Sequence, residues 1–288
     1  MGTEPLLPPG ATGPGRIGSF DGANGRALRY RTVDAAGEEP RHYLLYCHGI
    51  ESHGTWFLPA AERLAEHGCT TFLVDRRGSG LNRGEEPGHA RSADILLEDV
   101  ARFRDHVGDP LMWLVGLSWG GKLAIAAAMA RPSSIRGLVL VTPGLKALVD
   151  LTPGQKLKFL ASLPVGGRAR LQVPIRPEMF TETPRFLDFI RQDPWRLKLA
   201  TAKFFSVSLK LDRQVADGID SLEKPVLLFL AGGERIIDND GVTRLLQRLP
   251  GGCLQIHMYD DATHSIQFDQ VERMVDDTMA FLDGSTAP

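Results

Sequence analysis

The sequence predicts an α/β fold, in which a doubly wound, mostly parallel sheet carries a helical cap insertion. Apolar runs typical of buried strands alternate with amphipathic helical patterns along most of the 288 residues, and such alternation indicates a parallel sheet with helices on both faces. Between residues 145 and 223 the alternation stops and prolines separate short amphipathic patches, which favours a cap inserted over the strand ends. The expected parts are a disordered N-terminal tail (1–16), a first core part (17–144), the helical cap (145–223) and a second core part (224–284).

The elements of the core follow from local patterns. Residues 17–33 contain two alternating segments around a turn rich in Gly and Asn, which predicts an opening β-hairpin. Apolar runs predict strands at 41–47, 69–75, 112–117, 137–141, 225–231 and 254–259. Helical spacing predicts helices at 55–67, 92–107, 122–131, 241–249 and 267–282. Parallel strands joined by right-handed crossovers end at one edge of the sheet, so we expect functional residues in the loops that follow these strands.

Composition excludes several classes of function. A formal net charge of −2 supplies no field that attracts nucleic acid, so we expect no nucleic-acid partner. The three cysteines are widely spaced and no two of the eight histidines have the spacing of a helical metal site, so we expect no metal and no cofactor. No apolar run approaches the roughly 20 residues of a membrane span, and the N-terminal residues lack a signal-peptide pattern, which predicts a cytoplasmic protein. No pattern indicates an oligomeric state.

The central motif is Gly116-Leu117-Ser118-Trp119-Gly120, an instance of G-x-S-x-G between an apolar run and an Ala-rich helical pattern. A serine that must stand clear of the backbone needs a strained strand-to-helix turn, and small residues on both sides allow neighbouring elements to approach. Ser118 is therefore a candidate nucleophile, and the Trp119 N–H at the start of the helix points to where an oxyanion would form. The alternative is a serine that only caps the helix.

A nucleophilic serine needs a base and a carboxylate that orients the base, and in doubly wound hydrolase sheets these follow in the order Ser, acid, His. His264 follows the last strand, whereas His257 lies inside that strand, so His264 is the preferred base. Glu234 directly follows the preceding strand and is the preferred acid. Asp238 is the second candidate for the acid, but a cap of the helix near residue 241 explains it equally well.

The chain resembles the α/β-hydrolase superfamily, and within it the monoacylglycerol lipase and lysophospholipase group, which is serine aminopeptidase S33-like. The resemblance implies Ser118 as nucleophile, His264 as base, and the backbone N–H groups of Ile50 and Trp119 as the oxyanion hole. This chain differs from the family in having Glu234 where Asp is usual. The motifs that carry the resemblance are His48-Gly49-Ile50 with His53, Asp75-Arg76-Arg77-Gly78-Ser79-Gly80, Gly116-Leu117-Ser118-Trp119-Gly120-Gly121, Gly233-Glu234-Arg235-Ile236-Ile237-Asp238, and His264.

Further roles concern residues near these motifs. His48 is expected to brace the loop of residues 48–54 that contains Ile50, the predicted oxyanion loop. His53 and Leu117 are candidate substrate contacts. The family often has His at the position of Leu117, directly before the nucleophile.

The cap is expected to decide the substrate. Residues 146–213 hold 13 Lys and Arg against 6 Asp and Glu, with aromatic residues between them. One hypothesis is an acyl chain on an anionic head group, or peripheral contact with an anionic membrane surface. The alternative is that these are solvated faces of amphipathic helices.

The predicted function is a serine hydrolase that cleaves carboxylic esters of a lipophilic acyl group, of the monoacylglycerol or lysophospholipid type, through an acyl-enzyme. A peptidase, thioesterase or lactonase with the same triad is an alternative, because fold and triad do not fix the leaving group. A non-catalytic hydrolase-fold binding protein is a further alternative.

Overall fold

Within residues 5–84 and 86–285, which the computed structural model describes, eight strands form one sheet in the order β1-β2-β4-β3-β5-β6-β9-β10. The strands are β1 (Arg16–Asp21), β2 (Ala27–Val33), β3 (His42–Cys47), β4 (Cys69–Val74), β5 (Met112–Leu117), β6 (Ile135–Val141), β9 (Val226–Ala231) and β10 (Leu254–Tyr259). Strands β1, β2 and β4 pair antiparallel, and the pairs from β4 to β10 are parallel. The predicted fold class is confirmed, including the opening hairpin.

Helices cover both faces of the sheet, because each face of the apolar central strands needs a cover. The core helices are α1 (Leu58–Glu66), α2 (Ala93–His106), α3 (Trp119–Ala130), α7 (Asn239–Leu246), α8 (Ile266–Asp269) and α9 (Val271–Gly284). Residues of α2 and α3 share one buried cluster with the alternate side chains of the central strands. Residues of α1 and α9 share the other. The single closing helix expected at 267–282 is two helices, because Gln270 has non-helical backbone angles (φ −137°, ψ 40°).

The residues between β6 and β9 form the cap, with α4 (Pro153–Ser162), α5 (Pro184–Gln192) and α6 (Ala202–Gly218). The structure also contains a short antiparallel pair, β7 (Arg170–Gln172) with β8 (Leu199–Thr201), which the sequence did not predict. Strands of three residues are too short for their alternation to register as a pattern.

Residues 5–15 differ from the prediction of a disordered tail, whereas residues 1–4 of that tail lie outside the described residues. The Thr12 backbone N–H and hydroxyl bind the Glu62 carboxylate on α1 at 2.9 and 3.0 Å. Leu7 and Ala11 pack against the buried cluster around α1 and α9. No helix in the described part of the chain is both long and apolar enough to cross a membrane.

Candidate active site

Ser118 lies in the sharp turn between β5 and α3, with φ 51° and ψ −123°. A non-glycine residue in this region is strained, and such strain persists only where the surroundings hold it. The turn is held by hydrogen bonds from Ser118 N to Val141 O (2.9 Å) and from Gly144 N to Ser118 O (2.7 Å). Gly120 must lack a side chain, because a Cβ there would lie 1.9 Å from Cys47 O. The motif therefore brings the start of α3 into contact with the end of β3.

His264 and Glu234 form a buried pair at the same edge of the sheet. His264 Nδ1 lies 2.7 Å from Glu234 Oε2, and both side chains are almost fully buried. Burial acts to raise the pKa of Glu234, but the facing His264 and the backbone N–H groups of Ile236 and Arg235 outweigh it, so that pKa is lowered. Because an ionised carboxylate only accepts hydrogen bonds, the Nδ1 of His264 carries the proton and Nε2 is left as the basic nitrogen.

Thr142 connects the serine and the histidine. Its hydroxyl donates to His264 O at 2.8 Å, and the preceding residue, Val141, accepts the hydrogen bond from Ser118 N. His264 Nε2 is buried and has no hydrogen-bond partner among the described residues, so the Ser118 hydroxyl is not bonded to it here. Catalytic hydrogen bonds are often long in ligand-free sites and tighten in the complex.

The backbone N–H groups of Ile50 and Trp119 are both available to an oxyanion. Within residues 5–84 and 86–285, neither donates to a protein acceptor, and both residues lie on the wall of the cavity that Ser118 lines. An N–H at the start of a helix has no intrahelical acceptor, which explains the free donor of Trp119.

His48 forms hydrogen bonds that hold the loop after β3, the loop in which the sequence predicts the oxyanion donor Ile50. Its Nε2 accepts the Arg76 backbone N–H at 3.0 Å, so its Nδ1 carries the proton and donates to Gly49 O at 2.8 Å. The sequence reasoning missed Arg76, whose guanidinium donates to Gly49 O at 2.7 Å and to Ile50 O at 2.6 Å. Burial lowers the pKa of Arg76 to about 9. The signal in the sequence that could have identified Arg76 is its position directly after the predicted strand 69–75.

Asp238 and His257 are not part of this arrangement. Asp238 precedes α7, its side chain is 41% exposed, and its nearest charged partner is Arg244 at 3.9 Å. His257 Nδ1 lies 3.1 Å from Asp277 on α9. The structure therefore places Glu234, and neither of these residues, in contact with His264.

His53 and Leu117 are not among the residues on the wall of the cavity that Ser118 lines, and their role as substrate contacts stays a prediction. His53 is fully buried and its Nε2 lies 2.9 Å from Asp193 Oδ2, a cap residue. Leu117 ends β5, is 2% exposed and belongs to the cluster around α1 and α9. Alternation along β5 turns its side chain to the opposite face of the sheet from Gly116, away from α3.

Above Ser118 lies a cavity of about 690 Å³ between the core and the cap. Most of its wall is apolar, and the apolar residues that line it include Leu148, Val149, Leu151, Phe159, Leu160, Val173, Ile175, Phe205, Leu209, Ile236 and Ile237. The charged residues on the wall form two ion pairs, Lys122 with Asp212 and Lys156 with Asp150. The excess of Lys and Arg in the cap sequence therefore gives the cavity wall no net charge.

Among residues 5–84 and 86–285, no group of three or more His, Cys, Asp or Glu side chains is placed to hold a metal ion.

The fold and the serine turn define a member of the α/β-hydrolase superfamily. The model of the family described as "Hydrolase_4: Serine aminopeptidase, S33" matches residues 38–271, and the chain belongs to this family. The family resemblance seen in the sequence is confirmed.

Similar proteins cover most of the chain at low identity. Human monoglyceride lipase is 24% identical over 241 residues, which are 78% of this chain and 76% of that protein. N-formylmaleamate deformylase of Pseudomonas putida is 24% identical over 276 residues, which are 87% of this chain and 90% of that protein. The crystal structure of Paleococcus ferrophilus monoacylglycerol lipase has a TM-score of 0.81 at 20% identity and covers 90% of this chain and 99% of that chain.

Proposed function

We propose that this protein is a serine hydrolase that cleaves carboxylic esters of a lipophilic acyl group with an uncharged alcohol, of the monoacylglycerol type. The observation that carries the proposal is the buried His264–Glu234 pair at 2.7 Å, at the same edge of the sheet as a strained serine that lines a largely apolar cavity. The similarity to monoglyceride lipases supports the ester as the reacting group.

In this mechanism His264 Nε2 takes the proton of the Ser118 hydroxyl as the oxygen attacks the acyl carbonyl. The Ile50 and Trp119 N–H groups hold the developing oxyanion. His264 then gives its proton to the leaving alcohol, which leaves an acyl group on Ser118. Water activated by His264 attacks this ester and releases the carboxylic acid. Glu234 keeps the imidazole in the required tautomer and stabilises its charged form.

The charge of the wall favours an uncharged head group over a lysophospholipid. Each lysine on the wall faces a carboxylate, so an anionic head group would meet no uncompensated cation there. Hydrolysis of glyceryl and lysophosphatidyl esters of the same acyl chain, at low and high salt, tests this preference. A faster, salt-sensitive reaction with the lysophosphatidyl ester would contradict it, because exposed charges are screened by salt.

Labelling with a fluorophosphonate probe tests whether Ser118 is a nucleophile. We expect the probe to label the wild-type protein and not Ser118→Ala. The variant should also lose about 10⁶-fold in kcat, as other hydrolases do when the triad serine is removed. Ser133→Ala, at an exposed serine after α3, is the matched control and should label fully. An unlabelled wild-type protein would favour the non-catalytic binding protein.

A second pair of variants tests the acid. Glu234→Gln keeps the size of the side chain but cannot hold the same tautomer, and the equivalent change in a serine protease costs about 10⁴-fold in kcat. Asp238→Asn should change kcat by less than about threefold, because Asp238 does not contact His264. The reverse ranking of the two variants would assign the role of the acid to Asp238.

The leaving group is tested separately from the triad. Esters, thioesters, lactones and aminoacyl amides of matched acyl chains should be compared by kcat/KM. We expect the ester to be the best substrate, and a preference for the amide would instead support the peptidase named in the family description.

A further inference from the structure

The largely apolar cavity wall carries a cluster of polar side chains around Lys122 that the triad does not use. Lys122 on α3 lies 2.5 Å from Asp212 on α6. The Ser208 hydroxyl oxygen accepts hydrogen bonds from Lys122 Nζ at 3.2 Å and from the indole N–H of Trp119 at 3.0 Å. All four residues line the cavity.

The cluster lies close to the reacting serine. Lys122 lies in the first turn of α3, four residues after Ser118, and both residues line the same cavity. A helical side chain leans towards the N-terminus of its helix, which carries the ammonium group back towards the turn that holds Ser118. The shared contact of Lys122 and Trp119 with Ser208 fits this direction.

The cluster retains unused hydrogen-bonding capacity. Ser208 accepts two hydrogen bonds, but its own proton has no acceptor among the described residues. The Asp212 side chain is 29% exposed and is thus not sealed by its lysine partner. Burial lowers the pKa of Lys122 and raises that of Asp212, while each charge opposes the shift of the other. The Lys122 side chain is almost fully buried, so its ammonium group needs polar partners in the cavity more than a surface lysine would.

We propose that Lys122, Ser208 and Asp212 form a polar subsite that binds an uncharged hydroxyl group of the ester substrate. The inference rests on the proposed function and adds a substrate class to it: esters with a hydroxyl close to the reacting carbonyl. A hydroxyl donates one hydrogen bond and accepts others, so it can donate to Asp212 and accept from Lys122 or Ser208. An anionic group in this position would be repelled by Asp212, and a cationic group by Lys122.

The hydroxyl can belong to the acyl chain or to the alcohol, and matched pairs of esters distinguish these sources. Methyl β-hydroxyoctanoate against methyl octanoate tests the acyl side. Glyceryl octanoate against propyl octanoate tests the alcohol side. We expect kcat/KM to be at least about tenfold higher for the hydroxylated member of one pair, because a site that hydrogen-bonds a hydroxyl discriminates against an analogue that lacks it.

Removal of the cluster should abolish the preference for the hydroxylated ester. The double variant Lys122→Met with Asp212→Leu takes away both charges together and leaves no unpaired buried ion, and the ratio should fall to within about twofold. Ser208→Ala is a milder change that should lower the ratio by about threefold. Lys210→Met is the matched control on the same helix, because Lys210 pairs with Asp94 on α2 through exposed side chains, and its ratio should equal that of the wild type.

The ratio separates a subsite from a purely structural ion pair between α3 and α6. A structural pair would alter the rates of both members of a substrate pair alike and leave the ratio unchanged. A wild-type ratio near unity for both pairs, with all esters hydrolysed, would overturn the subsite and leave the proposed function standing. No hydrolysis of any ester, together with no fluorophosphonate label, would overturn both.

Discussion

The two parts of the cap differ in how they are held. The anchored part, residues 180–197, is joined to the core by buried polar contacts beside the oxyanion loop and beside His264. The outer part, residues 153–165 with α4, exposes Leu157 (70%), Leu160 (62%) and Val165 (80%), and its polar contacts at Gln155 and Lys158 are to the backbone of β7. The anchored part belongs to the structure of the site, whereas the outer part covers it.

Two acidic side chains join the anchored part to the oxyanion loop. Asp193 Oδ2 lies 2.9 Å from His53 Nε2 and accepts the Trp56 indole N–H at 2.7 Å. Glu51, next to the proposed oxyanion donor Ile50, pairs with the cap residue Arg196 at 2.6 Å. The position of Ile50 is thus coupled to the position of the cap.

A third contact lies beside His264. The Asp269 carboxylate accepts hydrogen bonds from Thr181 and Thr183 of the cap and from Thr263, which precedes His264. The backbone N–H of Ser265 donates to Phe180 O at 2.8 Å. The cap therefore contacts both the loop that holds Ile50 and the loop that holds His264.

The largest effect is expected from Asp193→Ala, which leaves the donors of His53 and Trp56 buried without their acceptor. Removal of one partner from such a buried pair costs about 3 to 5 kcal/mol in the free energy of unfolding, which urea denaturation measures. Asp188→Ala on α5, whose side chain is 67% exposed, is the control and should cost less than about 0.5 kcal/mol. Equal losses in the free energy of unfolding would show that the contacts of Asp193 stabilise the protein no more than an exposed side chain on α5 does.

The Glu51–Arg196 pair is expected to make stability depend on pH. Burial raises the pKa of Glu51 from 4.5 to about 7, although Arg196 opposes the shift. The folded protein therefore binds a proton on Glu51 more tightly than the unfolded chain does. The protonated Glu51 stabilises the fold fully below the pKa of Glu51 in the unfolded chain, and this stabilisation is lost as the pH rises through its pKa in the folded protein. The free energy of unfolding of the wild type, relative to Glu51→Gln, should fall by about 3 kcal/mol between about pH 4 and about pH 8.

The control for this dependence is Glu98→Gln, an exposed glutamate in a surface pair with Arg102 on α2. Its difference from the wild type should stay within about 0.5 kcal/mol over the same range of pH. A wild-type stability that rises relative to Glu51→Gln would show that Arg196 outweighs burial.

Asp269→Ala should have an intermediate effect. It removes the acceptor of three hydroxyl groups, but hydroxyls can turn to other acceptors or to water, so we expect a cost of about 2 kcal/mol in the free energy of unfolding. Because Thr263 precedes His264, kcat should fall more than KM rises if this contact positions the base. A change in KM alone would confine the role of Asp269 to the substrate cavity.

The contrast between the core and the anchored part of the cap also explains which features the sequence could predict. The core strands, the serine turn and the pairing of His264 with Glu234 follow from apolar periodicity and from loops at one sheet edge, which are local signals. The roles of His53 and Arg196 were not predictable, because their partners lie 140 and 145 residues away along the chain. The role of Arg76 was missed because a guanidinium that donates to backbone carbonyl groups leaves no pattern of partner residues in the sequence. His53 was predicted to contact substrate because of its position near a motif, and only the cap explains its burial.

The smallest effect on stability is expected from the outer part, where Leu157→Ser with Val165→Ser should change the free energy of unfolding by less than about 0.5 kcal/mol. If these exposed side chains contact an anionic membrane surface, as the sequence suggested, the variant should bind anionic vesicles more weakly and hydrolyse a vesicle-bound ester more slowly, with no change for a dissolved short ester. Leu111→Ser, at a 47% exposed leucine before the amino end of β5, is the control and should bind vesicles as the wild type does. Equal vesicle binding by all three proteins would exclude the outer part as a membrane contact and leave it as a wall of the cavity.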